Sequence, residues 1–153
     1  MAMPKQMKAI IPFLAIMVAM TISVVADETN QTVLIELRDS ANVNNRGLWN
    51  NGFTQYIAVH QVYVCSVIQP PDSTNHVNRW RLQIDRTIRG KRTGEIPCKL
   101  PGKTNEVTPG ARLVVLGNDH KTGFNVIGWW FHSEKTEKAI ENLTHSSKIH
   151  NRL

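Results

Sequence analysis

Six cations stand within one short stretch of the chain, RWRLQIDRTIRGKR: Arg79, Arg81, Arg86, Arg89, Lys91 and Arg92. Guanidinium groups offer a planar fork of donors that matches sulfate, phosphate and carboxylate oxygens. The six residues are therefore the expected ligand-binding set, for an anionic ligand or an acidic protein surface. The plainer reading of such a run is a solvated basic face. Parity divides the stretch. Trp80, Leu82 and Ile84 alternate with Arg79, Arg81, Gln83 and Asp85, the period of a half-buried strand with its cations on the open side. Single-stranded nucleic acid is held by aromatics placed among the cations. Trp80 points to the opposite face, so no nucleic acid is expected.

The remaining reactive side chains form no recognisable constellation. Ser40, Ser66, Ser133 and Cys65 lie outside any nucleophile-elbow motif, and no pair of carboxylates stands out as an acid–base couple. No catalytic residue is assigned, although a site assembled in space would leave no such trace. The histidines, His60 to His150, lack metal-ligand spacing, so neither a metal nor a cofactor is expected. Asp119-His120 in a turn would need further ligands from elsewhere. Asn30-Gln31-Thr32 and Asn142-Leu143-Thr144 match the glycosylation acceptor pattern.

The elements that must position these residues begin after a leader. Lys5 and Lys8 are followed by an uncharged, mostly apolar run, then Val24 and Ala26 in the places of a small-residue cleavage site. These features predict a signal peptide over residues 1–26, cleaved after Ala26, and a secreted or periplasmic protein. An uncleaved anchor is the alternative, with a run at the lower limit of about 17–25 apolar residues. Cleavage would take the formal net charge from +6 to +4. Residues 27–153 suffice for one small core, and no later run is apolar enough to span a bilayer. In an exported chain, Cys65 and Cys98 predict one disulfide. Its loop of about 34 residues would be worth about 3–4 kcal/mol in the chain-entropy model. Two separate buried thiols are the alternative.

Thr32–Leu37 alternates as a short strand, though Leu34, Leu37 and Ala41 also fit helical spacing. Asn- and Gly-rich residues 39–52 predict a loop anchored by Leu48 and Trp49. Phe53–Ile68 is the longest β signal, apolar on both alternating sets, as in a closed barrel, and long enough to need a bend. After Pro70-Pro71 comes the basic strand, which turns at Gly90. Ile96, Cys98 and Leu100 alternate next, but Pro97 demotes that run to an edge or irregular segment. Arg112–Gly117 reads as a central strand and Phe124–Phe131 as the last, with Gly128 marking a bend or a close approach. One of Trp129 and Trp130 must face inward and the other outward, the latter either a ligand platform or, as the expected reading, beneath the C-terminal helix. That helix is predicted over 133–144, capped by Ser133, with Ala139, Ile140 and Leu143 as its apolar stripe. The class is mainly β: a small closed barrel of five to six strands, of OB type, with one C-terminal helix.

The order of features from Phe53 to Leu143 resembles the OB-fold barrel of the tissue inhibitors of metalloproteinases and netrin-like domains, and more closely small exported bacterial proteins of that barrel type. IDRTIRG and GARLVVLG carry the likeness over about half of the chain. The resemblance implies a closed five-stranded barrel with a helix beside it. The inhibitors chelate the protease zinc through a cysteine at the mature N-terminus. Here the predicted mature residue is Asp27 and the first cysteine is Cys65, so inhibition is not carried over. The expected function is a monomeric, non-enzymatic binding module for a polyanion or a protein partner. A small secreted hydrolase or enzyme inhibitor acting through loops, and a structural envelope protein, are the alternatives.

Overall fold

A computed structural model of the chain describes residues 30–72, 79–121 and 123–150, with side chains described through residue 145. The expected signal peptide and its cleavage site lie outside the described residues. The chain divides into two units, Met1–Glu36 and Leu37–Leu153. Of the first, residues 30–36 are helical. Apart from the start of the first helix, everything below concerns the second.

The helix α1, over residues 30–40, replaces the strand expected at Thr32–Leu37. The helical spacing wins because Leu37 and Ala41, four apart, are the pair that is buried. Its last carbonyls are capped from elsewhere: Trp130 Nε1–H donates to Leu37 O at 2.8 Å, and Trp49 Nε1–H and Arg46 Nη1 each donate to Arg38 O at 2.9 Å. Strand β1, Asn42–Val43, follows.

The expected loop at 39–52 is mostly a helix, α2, Arg46–Val59. Asn45 begins it, in extended backbone, with Oδ1 accepting from Leu48 N–H at 3.0 Å. Trp49, Phe53 and Ile57, at intervals of four, form its buried stripe. Burial of three large apolar side chains outweighs the roughly 1 kcal/mol each that Gly47 and Gly52 take from helix propensity. Leu48, expected as an anchor, is 61% exposed. The long β signal therefore splits at His60, and only its second half is strand.

That strand is β2, Gln61–Gln69, followed by β3, Trp80–Arg89; β4, Glu95–Lys99; β5, Arg112–His120; and β6, Gly123–Phe131. β2 pairs antiparallel with both β3 and β5, β3 with β4, and β5 with β6; β4 and β6 pair in parallel through Cys98↔Phe124 and Lys99↔Asn125. These five strands close a barrel, and β1 lies outside it, on β6. This is the mainly β, closed OB-like architecture expected. β4 is not an edge: Pro97 sits opposite Arg81 within a strand paired on both sides.

Tyr63, Cys65, Leu82, Ile96, Leu113 and Trp129 lead the barrel interior. Val62, Val64, Val114 and Leu116 have the opposite parity, yet they are just as buried, so α2 and the C-terminal helix cover the outside. Both alternating sets of β2 are apolar for this reason. The C-terminal helix α3, Glu134–His150, is longer than expected, and Ser133 Oγ accepts from Thr136 N–H at 3.1 Å as its cap. Trp129 faces the interior, and its indole N–H donates to Pro101 O at 2.7 Å. Trp130 faces out, but against Trp49 of α2, with ring centres 5.8 Å apart. Gly128 admits that cover: a Cβ there would stand 3.2 Å from the Trp49 ring.

The expected disulfide is corrected: Cys65 and Cys98 are both free and buried. The register explains why. Cys65 lies opposite Ile84 and Cys98 opposite Trp80, so the two flank β3 from opposite sides, four residues apart along it. Two strand spacings of about 4.8 Å alone exceed the roughly 7 Å that a disulfide spans between Cα atoms.

Candidate functional site

The basic stretch is where parity put it, on β3 and the turn after it, but most of its guanidinium groups have partners within the fold. Arg81 Nε donates to Glu95 Oε2 at 3.1 Å and its Nη1 to Gln69 Oε1 at 3.2 Å, bridging the neighbouring strands. Arg86 holds Glu137 and Glu141 of α3, the second at 2.7 Å. Arg92 pairs with Asp119 and donates from Nη2 to Gly123 O at 3.0 Å, joining the β3–β4 turn to the β5–β6 turn. Lys91 is exposed.

Arg89 has the most specialised position. Its Nε donates to His60 O at 2.7 Å, its Nη1 to Ala58 O at 2.8 Å, and its Nη2 to Ile57 O. It supplies the donors that the C-terminal carbonyls of α2 lack. Burial holds its pKa below the ordinary guanidinium value. The strand reaches this point because Gly90 has φ 145°, and a Cβ there would meet the Tyr63 hydroxyl at 2.1 Å. That hydroxyl accepts from Arg92 N–H at 3.2 Å. No side chain larger than hydrogen fits there without displacing Tyr63.

Arg79 stands apart from the other five. It precedes β3, at the end of the barrel where β4 and β5 finish and β6 begins. The register brings these ends together: Trp80 lies opposite Cys98, Cys98 opposite Phe124, and His120 opposite Gly123. They enclose an open cleft of about 410 Å³. Arg79, Lys99, His120 and Asn125 supply its polar lining, over Pro97 and Phe124, and no carboxylate is among the lining residues. Lys99, His120 and Asn125 are exposed, and Phe124 is buried. Gly123 lets the turn approach β4, since a Cβ there would lie 2.6 Å from Pro97 O.

Cys98 is at the base of this cleft. Burial pushes its thiol up to about 12, against the pull of the nearby Arg79 charge. Burial likewise raises the Cys65 thiol. Both are thus held toward the neutral thiol, the less nucleophilic form. Beside the cleft, hydrogen bonds from Arg92 and then Gln61 hold the Asp119 carboxyl below its ordinary range, and that charge is committed to the turn rather than to the cleft. His60 is buried at the end of α2, not within a strand, with Nδ1 2.8 Å from Tyr56 O. Among the described residues, no three His, Cys, Asp or Glu gather to hold a metal ion, and no helix is long and apolar enough to cross a membrane.

Sequence reading thus found one residue of the cleft, Arg79, and weighed His120 only as a metal ligand. Lys99 and Asn125 went unseen, because the signal joining them is a register between β4 and β6 that no local pattern encodes. Comparison of the chain with protein-family models, curated proteins and solved structures gives no match.

Proposed function

We propose that this chain is an exported, non-enzymatic binding module that holds an anionic group of a ligand or protein partner in the cleft at Arg79, Lys99 and His120. The observation that carries the reading is this concave site: two permanent cations and a histidine line it without a carboxylate. A low-lying cation pair in a concavity attracts anions more strongly than the same charges spread on a convex face. OB-type barrels bind oligomeric ligands on the face of their second and third strands, between the loop joining the first two strands and the loop joining the last two. The cleft is in that place. Export is read from the leader composition alone. A nucleic-acid ligand is disfavoured because Phe124, the aromatic of the cleft, is buried and offers no stacking platform.

Exchange of Arg79 and Lys99 for glutamate tests the reading. The doubly substituted protein should elute from a heparin column at distinctly lower salt than the parent, while Lys91→Glu, outside the cleft, should shift elution little. Equal shifts from both variants would mean only general basicity, and the cleft reading would fail.

A further inference from the structure

A second groove, of about 240 Å³, lies outside the barrel between β1, α2 and β6. Its floor is aromatic and apolar. The Tyr56 ring stacks on Trp49 with centres 5.8 Å apart and planes 9° from parallel, and Val43 and Val126 complete the base. Gly52, in the middle of α2, makes room for this arrangement: a Cβ there would stand 3.1 Å from Tyr56 Cε2.

The rim consists of amides. Asn45 Oδ1 already accepts from Leu48 N–H at 3.0 Å, and Asn44 Oδ1 from Gly102 N–H at 3.2 Å. With the oxygens committed, what each amide can still offer an occupant is the two hydrogens of its Nδ2. Asn125 adds a third amide, and no charged side chain lines the space. An occupant must therefore be neutral, rich in acceptor oxygens along its edge, and apolar on its face. A purely apolar occupant would leave the amide donors desolvated and unpaired. A peptide adding as a strand would need a free edge several residues long; here β6 is open only at Val126 and Ile127, between its pairings with β4 at Asn125 and with β1 at Gly128, and β1 is two residues long. A sugar ring meets all three requirements: its C–H face can lie against the Tyr56 ring, which is partly exposed over the buried Trp49, and its hydroxyl and ring oxygens accept from amides. The volume, below the 300–1,000 Å³ usual for drug-sized ligands, suits a single ring.

We infer that this groove is a binding subsite for one neutral sugar ring of an oligosaccharide. The inference goes beyond the cleft reading and stands or falls without it. Asn125 lines both spaces, so a saccharide seated in the groove can extend toward the cations.

The probe is an array of neutral oligosaccharides covering hexose, deoxyhexose and N-acetylhexosamine ends, applied to the full chain in 0.5 M sodium chloride. At least one should be retained and should alter tryptophan fluorescence through Trp49. Leu48→Arg places a long cation at the rim from a position 61% exposed, and should weaken that binding by roughly tenfold with an unchanged far-ultraviolet circular dichroism spectrum. Tyr56→Phe, which keeps the ring and removes the hydroxyl, should weaken it less. Arg79→Glu should leave it intact even if the cleft reading fails. Retention of no neutral glycan, retention equal in parent and Leu48→Arg, or loss caused by Arg79→Glu alone would each overturn the inference.

Discussion

A single side chain in this protein does work that its charge conceals. Arg89 belongs to the most basic stretch of the chain, yet its donors serve three backbone carbonyls at the end of α2. Removing them leaves partly buried acceptors without partners, an effect of about 1–3 kcal/mol. Arg89→Ala should therefore lower the midpoint of urea unfolding without changing retention on a polyanion. Arg89→Lys should recover only part of the loss, because a point ammonium cannot fork across adjacent carbonyls. If the alanine variant unfolds with the parent, the cap is not holding α2. Arg79 differs by its place: it stands before β3, in the company of Lys99 and His120.

At the scale of elements, the docking of α3 rests on charge as well as on Ile140. Glu137 receives Arg86 from β3 and lies 2.5 Å from His132 Nε2, while Glu141 takes the second arm of Arg86. The hydrogen bond with His132, and then the Arg86 charge, hold the Glu137 carboxyl below its ordinary range. A carboxyl whose folded pKa is depressed contributes stability above its unfolded pKa, near about 4.3, and loses that contribution as pH falls through the folded value. Glu137→Gln should thus lower stability at pH 7 by up to about 1 kcal/mol. The difference from the parent should shrink below roughly pH 4. A gap that persists unchanged at pH 3 would mean that packing, not ionisation, is responsible.

The elements also mark where the sequence was legible. Alternation in Trp80–Ile84 was enough to set the inner face of β3, because a strand half buried in a barrel obeys period two without exception over five residues. The Ser133 cap and the α3 stripe were legible for the same local reason. The helix α2 was hidden by its composition: Asn and Gly read as loop, and only the Trp49–Phe53–Ile57 interval and the Asn45 cap spoke against it. The cleft was illegible beyond Arg79, since its members come from four strand ends joined by pairing across long separations. The engagement of Arg86 with α3 was hidden likewise, because Glu137 and Glu141 lie some fifty residues on.

For the molecule as a whole, closure of the barrel governs the chemistry of its two thiols. Both are within the core, at 0% and 2% exposure, and neither is ionised at neutral pH, so oxidants have neither access nor a thiolate to attack. Such thiols can persist even outside the cytoplasm. Intact mass should be identical before and after treatment with a reductant. A maleimide should add to both cysteines in denaturant and to neither under native conditions. A mass two daltons lighter before reduction would restore the crosslink and contradict the register of β3.

The barrel is sewn unevenly. Long antiparallel ladders join β2 to β3 and β5 to β6, but β4 meets β6 through Cys98↔Phe124 and Lys99↔Asn125 alone. Those two pairs are the hem of the cylinder, and the cleft lies directly across them. Local opening of a closed sheet begins where fewest bonds must break, so the hem is where this barrel would first part. A ligand resting on Lys99 and Asn125 would clasp the two sides together. Occupancy of the cleft and closure of the barrel are then one equilibrium, and a bound anion would act on the molecule as a fastener as much as a passenger.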